Sequence, residues 1–151
     1  MSNQISDCYI RKVKPEDVDI LFQWANDPTT RNNAFNTAQI PYENHLKWFE
    51  KTLNDPDRIQ LVFISGDVPV GQFRVDIEER IGEVDYSVAP AFRGKGYGSE
   101  MCKKAVEYIK STGLVDRLIA KVKTENTVSK KCFMKSGFSS AFEQFEMSLE
   151  G

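Results

Sequence analysis

Two groups of residues in this chain could do chemistry. The first is Arg93-Gly94-Lys95-Gly96-Tyr97-Gly98, set between a strand pattern and a helix pattern. Glycines let backbone approach a ligand closely and adopt positive φ. A helix start presents unpaired N–H groups and the positive end of a dipole. Together these make a cradle for a diphosphate, with Arg93 and Lys95 adding positive charge at its rim. The same residues also read as a plain glycine-rich turn before a helix. The P-loop pattern fails, because no Gly-Lys-Ser/Thr closes a four-residue gap. The dinucleotide pattern fails too, because Gly96-x-Gly98 is followed by Met101 rather than a third glycine.

The second group is Glu83 and Asp85, which alternate with Val84 and Tyr86 and so share one face of a strand. Across a turn at Glu79-Arg80, that face also carries Gln72, Arg74 and Asp76. Asp76 opposite Glu83 would raise one carboxyl pKa and favour a general base. Arg74 opposite Asp85 would make a structural ion pair. The alternation leaves the register open, and a solvent-facing ladder of salt bridges is the competing reading.

These groups need elements to hold them. Tyr9 to Val13 reads as a strand, and Pro15 opens a helix with Val18, Leu21, Phe22 and Ala25 on one stripe. Asp27-Pro28 stops it. Thr29 to Ile40 is polar and irregular. Pro41 opens a second helix, with Tyr42, Leu46, Phe49 and Leu53 inward, and Asn54-Asp55-Pro56-Asp57 breaks it. Ile59–Ser65 and Val68–Ile77 form a hairpin about Gly66-Asp67, and Gly82–Ala89 is the next strand. A helix over Gly98–Lys110 turns Cys102, Ala105, Val106 and Ile109 inward. Leu114–Lys123 is a strand, Val128–Lys135 a short helix, and Phe142–Leu149 one or two strands. The fold class is α/β of the α+β type, with a mixed, largely antiparallel centre.

The 151 residues suit one domain over 1–151. Hydrophobic residues at 40% and charged residues at 28% argue against disorder. A net charge of −2 without long like-charge runs disfavours nucleic-acid binding by bulk electrostatics. Cys8, Cys102 and Cys132 are far apart and odd in number, and His45 is the only histidine, so neither a disulfide framework nor a zinc site is expected. Cys102, on an inner helix face with no histidine near it in sequence, is a poor covalent nucleophile. No apolar run is long enough to span a membrane, and Met1 to Asp7 lacks a signal-peptide pattern, so a cytoplasmic location is expected.

A further motif lies downstream: Asn126-x-x-Ser129-x-x-x-Phe133-x-x-x-Gly137-Phe138. With Val84–Gly98 and the element order, it resembles the GNAT superfamily of acyl-CoA-dependent N-acyltransferases across nearly the whole chain. The resemblance implies a central sheet of 6–7 strands with about four helices on both faces. It implies acetyl-CoA as co-substrate and no metal. The pantetheine would run along Ser87, Val88 and Ala89. The diphosphate would sit on Arg93, Gly94, Lys95, Gly96, Tyr97, Gly98 and Ser99. Asn126 and Ser129 would flank the pantetheine where two central strands part; read bare, Asn126 is a helix N-cap. A glutamate on the strand before the loop often serves as base in the family, which points to Glu83, with Asp85 as the other candidate. A backbone N–H near Val88 would meet the oxyanion. One departure stands out: the tyrosine that many members use as acid for the thiolate is Phe133 here. Water or Ser129 is the expected substitute.

In this family the first helices form the acceptor pocket, which assigns Trp24, Arg31, His45 and Trp48 to it, with Arg74 of the Val68–Ile77 strand as a further substrate-binding candidate. The segment resembles members that acetylate nucleotide-linked amino sugars of the pseudaminic-acid type. Arg31 suits a phosphate, and Trp48 and Phe35 offer stacking faces. The partner expected is a small-molecule amine, with neither nucleic acid nor membrane, for a monomer or homodimer. The alternatives are a protein N-terminal acetyltransferase of ribosomal-protein type and a non-catalytic acyl-CoA-binding module. For the aromatic, histidine and arginine residues the structural readings are core packing, helix capping and an Arg31–Asp27 pair.

Overall fold

The computed structural model describes residues 7–150. Of the stretch Met1–Asp7 read for a leader pattern, only Asp7 falls within them. No helix among the described residues is long and apolar enough to cross a membrane.

Five strands form one sheet in the order β1-β2-β3-β4-β5: Cys8–Lys12, Arg58–Ser65, Val68–Glu78, Ile81–Val88 and Arg117–Ile119. All neighbours are antiparallel except β4 and β5, which run parallel. β2 is nearly buried throughout, which its unbroken apolar run over Leu61–Ile64 demands. The helices are α1 (Val18–Ala25), α2 (Pro28–Asn33), α3 (Tyr42–Asn54), α4 (Tyr97–Thr112) and α5 (Thr127–Lys135). One core packs Phe63, Phe73, Met101, Ala105 and Ile109 between the sheet, α4 and α5. A second packs Leu21, Trp24 and Phe49 of α1 and α3 against Val62 and Ile64.

The chain thus has five strands where six or seven were expected, and five helices where about four were. Strand β5 covers only Arg117–Ile119 of the expected Leu114–Lys123, and residues 139–150 form no strand. The apolar alternation of Phe145, Met147 and Leu149 persists there, but these side chains are exposed and no ladder flanks them. The extra helix is α2. Asp27-Pro28 starts an element rather than only ending one. The Asp27 carboxylate accepts from the Thr30 N–H at 3.1 Å, and Pro28 fills the first helical position. In α3 the buried face is His45, Phe49 and Thr52, rotated from the expected stripe. Tyr42 stays exposed because its hydroxyl donates to Asp19 at 2.6 Å.

The register left open by the sequence is set by a two-residue turn. Glu79 and Arg80 both lie at positive φ, 51° and 64°. Arg80 is held by Asp116 at 2.8 Å and the Gly113 carbonyl at 2.9 Å. Glu79 has no such tie among these contacts, so Glu79→Asn should stabilise the fold by about 1 kcal/mol, since asparagine tolerates this region. Urea unfolding midpoints check it. The register that results pairs Asp76 with Glu83 and Arg74 with Asp85 at once.

Candidate active site

β4 pairs with β5 only at Ile81, Gly82 and Glu83, and beyond that point the two strands part. On its other edge β4 stays bonded to β3 as far as Val88. The Ala89 N–H donates to the Val70 carbonyl of β3 at 2.8 Å. Strand alternation therefore aims the Val88 N–H at the open side. The gap is the centre of a continuous cleft of about 900 Å³. Gly71 on β3 must remain small here, because a Cβ would stand 2.8 Å from the Ser87 carbonyl and 3.0 Å from Met101 Sδ.

One end of the cleft is the glycine loop. Gly94 and Gly96 adopt positive φ, 74° and 85°, and Gly96 is the N-cap of α4. The side chains of Asp27 and Asn126 cap α2 and α5, while α1, α3 and α4 have no side-chain cap. The start of α4 differs in opening on the cleft through Gly94 and Gly96, an arrangement that suits an anion. Asn126 is the N-cap of α5, its Oδ1 accepting from the Ser129 N–H at 3.2 Å, and it also lines the cleft. Gly94, Gly96, Tyr97, Gly98, Ser99, Ser87, Val88 and Ser129 also line it.

Three expected site residues fall outside this lining. The Ala89 N–H is taken by β3, and its side chain is buried in the second core. Lys95 turns its ammonium to the Ala91 carbonyl at 3.3 Å. Glu83, the favoured base, pairs with Lys121 at 3.3 Å. The Glu83–Asp76 like-charge contact that the register creates is divided among cations, since Asp76 turns to Arg58 and Arg74. Arg93 lines the cleft but is not free at its rim. Its guanidinium bonds Asp27 at 2.6 Å and the Val88 carbonyl at 3.0 Å, so it ties the glycine loop to α2. Burial disfavours the Asp27 charge, but Arg93 and the Thr30 N–H outweigh it and hold the carboxyl below its usual range. That tie contributes stability above the unfolded carboxylate value of about 4 and loses it as pH falls through the depressed folded value.

Asp85 does line the cleft, with its side chain 57% exposed and Arg74 at 3.8 Å. A buried amide relay orients it: Gln60 Nε2 donates to Gln72 Oε1 at 2.9 Å, and Gln72 Nε2 donates to Asp85 at 3.2 Å and Ser87 Oγ at 3.3 Å. On the opposite face of β4, the Tyr86 hydroxyl meets Ser129 Oγ at 2.9 Å, with its ring edge-on to Phe133. Burial above all pushes this phenol well above its ordinary value, so it keeps its proton at neutral pH. The sequence reading missed Tyr86, although its alternation with Asp85 already put it on the face toward the Asn126 helix.

At the other end lie Trp24, Arg31, His45, Trp48 and Arg74. Trp24 is a core residue. His45 is buried and donates from Nε2 to the Val18 carbonyl at 2.8 Å, which fastens α3 to α1. Arg31 does not pair with Asp27. It donates to the carbonyls of Asn36 and Ala38 at 3.1 and 3.2 Å, while its buried Nε has no partner. Trp48 lines the cleft with the Arg58 and Arg74 guanidiniums each 5.3 Å from its ring centre and His45 stacked at 5.7 Å. Phe35 is 70% exposed and outside the cleft lining.

The family assignment follows from comparison with known proteins. Residues 8–139 match the acetyltransferase (GNAT) domain. The chain belongs to the GNAT family. It is an acetyl-CoA-dependent N-acyltransferase. The uncharacterized N-acetyltransferase p20 of Bacillus licheniformis is 26% identical over 149 residues, 89% of this chain and 83% of that protein. The GNAT fold is shared with the spermidine N-acetyltransferase from Vibrio cholerae in complex with CoA and spermine. The TM-score is 0.84 at 17% identity, covering 95% of this chain and 89% of that one. A ribosomal-protein α-N-acetyltransferase in complex with coenzyme A gives a TM-score of 0.77 at 13% identity, over 89% of this chain and 81% of that one. The uncapped start of α4 and the open edge of β4 fit coenzyme A as co-substrate of this GNAT enzyme. Among the described residues no cluster could hold a metal ion.

Proposed function

We propose that this GNAT enzyme transfers acetyl directly from acetyl-CoA to a primary amine on an anionic small molecule, a nucleotide-linked amino sugar. The observation that carries the acceptor is the charge of the cleft. Among the described residues Asp85 is the one carboxylate lining it, against Arg31, Arg74, Arg93, Lys121, Lys131 and Lys135, of which Arg74, Arg93 and Lys121 are partnered by Asp76 and Asp85, by Asp27 and by Glu83. Lys131 and Lys135 belong to α5 at the cofactor end, and Arg31 and Arg74 to the acceptor end. A polycation would meet two guanidiniums there. A diphosphate would gain charge-assisted hydrogen bonds from their remaining N–H groups.

Acetyl-CoA, when bound, supplies the thioester whose acyl group moves and whose thiol leaves. The first turn of α4 holds the diphosphate, and the Val88 N–H faces the developing oxyanion. An amine on a sugar is less basic than an alkylamine of pKa about 10.4, and Asp85 accepts the proton of the part that arrives protonated, directly or through one water. On the other side of β4, the Tyr86–Ser129 pair donates a hydrogen bond to the departing sulfur. A thiol of pKa about 8.5 needs only modest help, so Tyr86→Phe should lower kcat about tenfold. The acetyl-CoA KM should hardly change, and steady-state kinetics check both.

The test of the acceptor is thiol release from acetyl-CoA with a panel of UDP-linked amino sugars, N-terminal peptides and spermine. Turnover confined to amino-sugar nucleotides supports the assignment. Turnover confined to peptides or to spermine overturns it, and coenzyme A binding with no turnover on any amine would favour a binding module.

A further inference from the structure

Two thiols in this structure have no part in the acyl-transfer scheme. Cys102 faces inward from α4 and is fully buried, while Cys132 on α5 is 7% exposed and lines the cleft. Their sulfurs lie 3.5 Å apart. Cys132 also sits against the start of α4: a Cβ built on Gly98 would stand 3.6 Å from its sulfur. A helix N-terminus stabilises a thiolate. Hydrogen bonds from Cys102, then from Tyr86 and Ser99, with Lys135 adding positive charge, hold the Cys132 thiol below its ordinary range against the opposing effect of burial. The Cys102 thiol is raised, first by its bond to Cys132 and then by burial. One sulfur is therefore the nucleophile and the other its protonated partner.

We propose that Cys132 is a thiol-modification site on the wall of the acyl-CoA cleft, where a small disulfide such as glutathione disulfide is exchanged for an internal Cys102–Cys132 disulfide. In the first step the Cys132 thiolate attacks one sulfur of the small disulfide. A protein–S–S–R bond forms and one thiolate leaves. In the second step Cys102 gives its proton to solvent or to the departing thiolate and attacks the Cys132 sulfur, releasing the second small thiol. Two protein thiols are oxidised and one disulfide is reduced to two thiols. Closure shortens the sulfur separation from 3.5 Å to about 2.05 Å, a movement within reach of two adjoining side chains. The small disulfide enters through the cleft, so acetyl-CoA shields the site; this last point rests on the cofactor reading above.

The experiment incubates the folded full-length chain with glutathione disulfide and follows the intact mass. The wild type should lose two hydrogens with no lasting adduct, and dithiothreitol should reverse the change. Cys102→Ser should accumulate one glutathione adduct, mapped to Cys132 by peptide digestion. Cys132→Ser should take neither change, with Cys132→Ala used if serine disturbs the circular dichroism spectrum. An unmodified wild type overturns the proposal. So does modification of Cys132→Ser at the wild-type rate. Acetyl-CoA at ten times its Kd should slow the reaction about tenfold. Calorimetry on the same sample reads cofactor binding separately. Bound acetyl-CoA that leaves the rate unchanged removes the cleft as the route, while absent binding would count against the cofactor reading and leave the disulfide result to stand on its own.

Discussion

Asp85→Asn lowers kcat by about 10²-fold at pH 7, the low end of what a positioned general base contributes. Asparagine keeps the size of the side chain and can still bond Gln72, whose Nε2 reaches Asp85 at 3.2 Å. The fold should therefore move by no more than about 0.5 kcal/mol in urea unfolding. The loss should shrink with pH. Without a base, the rate follows the fraction of acceptor already deprotonated, so it grows about tenfold per pH unit until the acceptor amine's own pKa, which on a sugar lies below the alkylamine value of about 10.4. Wild type and variant should converge there. A purely structural Arg74–Asp85 pair predicts the reverse pattern: lost stability, little change in kcat and no pH-dependent convergence. Glu83→Gln is the matched control. Its carboxylate pairs with Lys121 at 3.3 Å outside the cleft, so kcat should stay within about twofold.

The same residues show what the sequence could and could not reveal. The buried strands β2 and β3 and the helix α4 were legible because apolar runs and the inward Cys102, Ala105 and Ile109 follow from burial alone. The pairing of Arg74 with Asp85 was not, because a turn of glutamate and arginine at positive φ carries no glycine signal. Once that turn is fixed, both like-charge and unlike-charge pairs occur together, and Lys121, distant in sequence, decides which carboxylate stays available. α2 was hidden because Asp-Pro both ends one helix and caps the next. The tie of Arg93 to Asp27 was hidden for a related reason. The cap residue Asp27 carries a charge that the glycine-loop guanidinium answers across 66 positions of sequence. Tyr86 was overlooked because it is ordinary in a strand; only the arrival of Ser129 at 2.9 Å gives it chemistry.

Gly96→Asp separates what the glycine loop does for the fold from what it does for the ligand. Gly96 is the N-cap of α4 at a φ of 85°, and no side chain caps that helix. Aspartate is among the few residues that tolerate this backbone region. A negative charge at a helix start is favourable by about 0.3–1 kcal/mol, which offsets much of the conformational strain. The unfolding free energy should thus stay within about 1 kcal/mol of wild type. Binding should move far more. A carboxylate that came within roughly 5–6 Å of a phosphate held there would oppose it by about 3 kcal/mol at an effective dielectric near 20. That is about 10²-fold in the acetyl-CoA Kd, read by calorimetry. Raising the salt should recover part of the loss, because a repulsion at a partly open site is screened. Weaker folding and weaker binding in equal measure would mean that the loop is a turn and nothing more. A stable protein that no longer holds acetyl-CoA places the diphosphate on the first turn of α4.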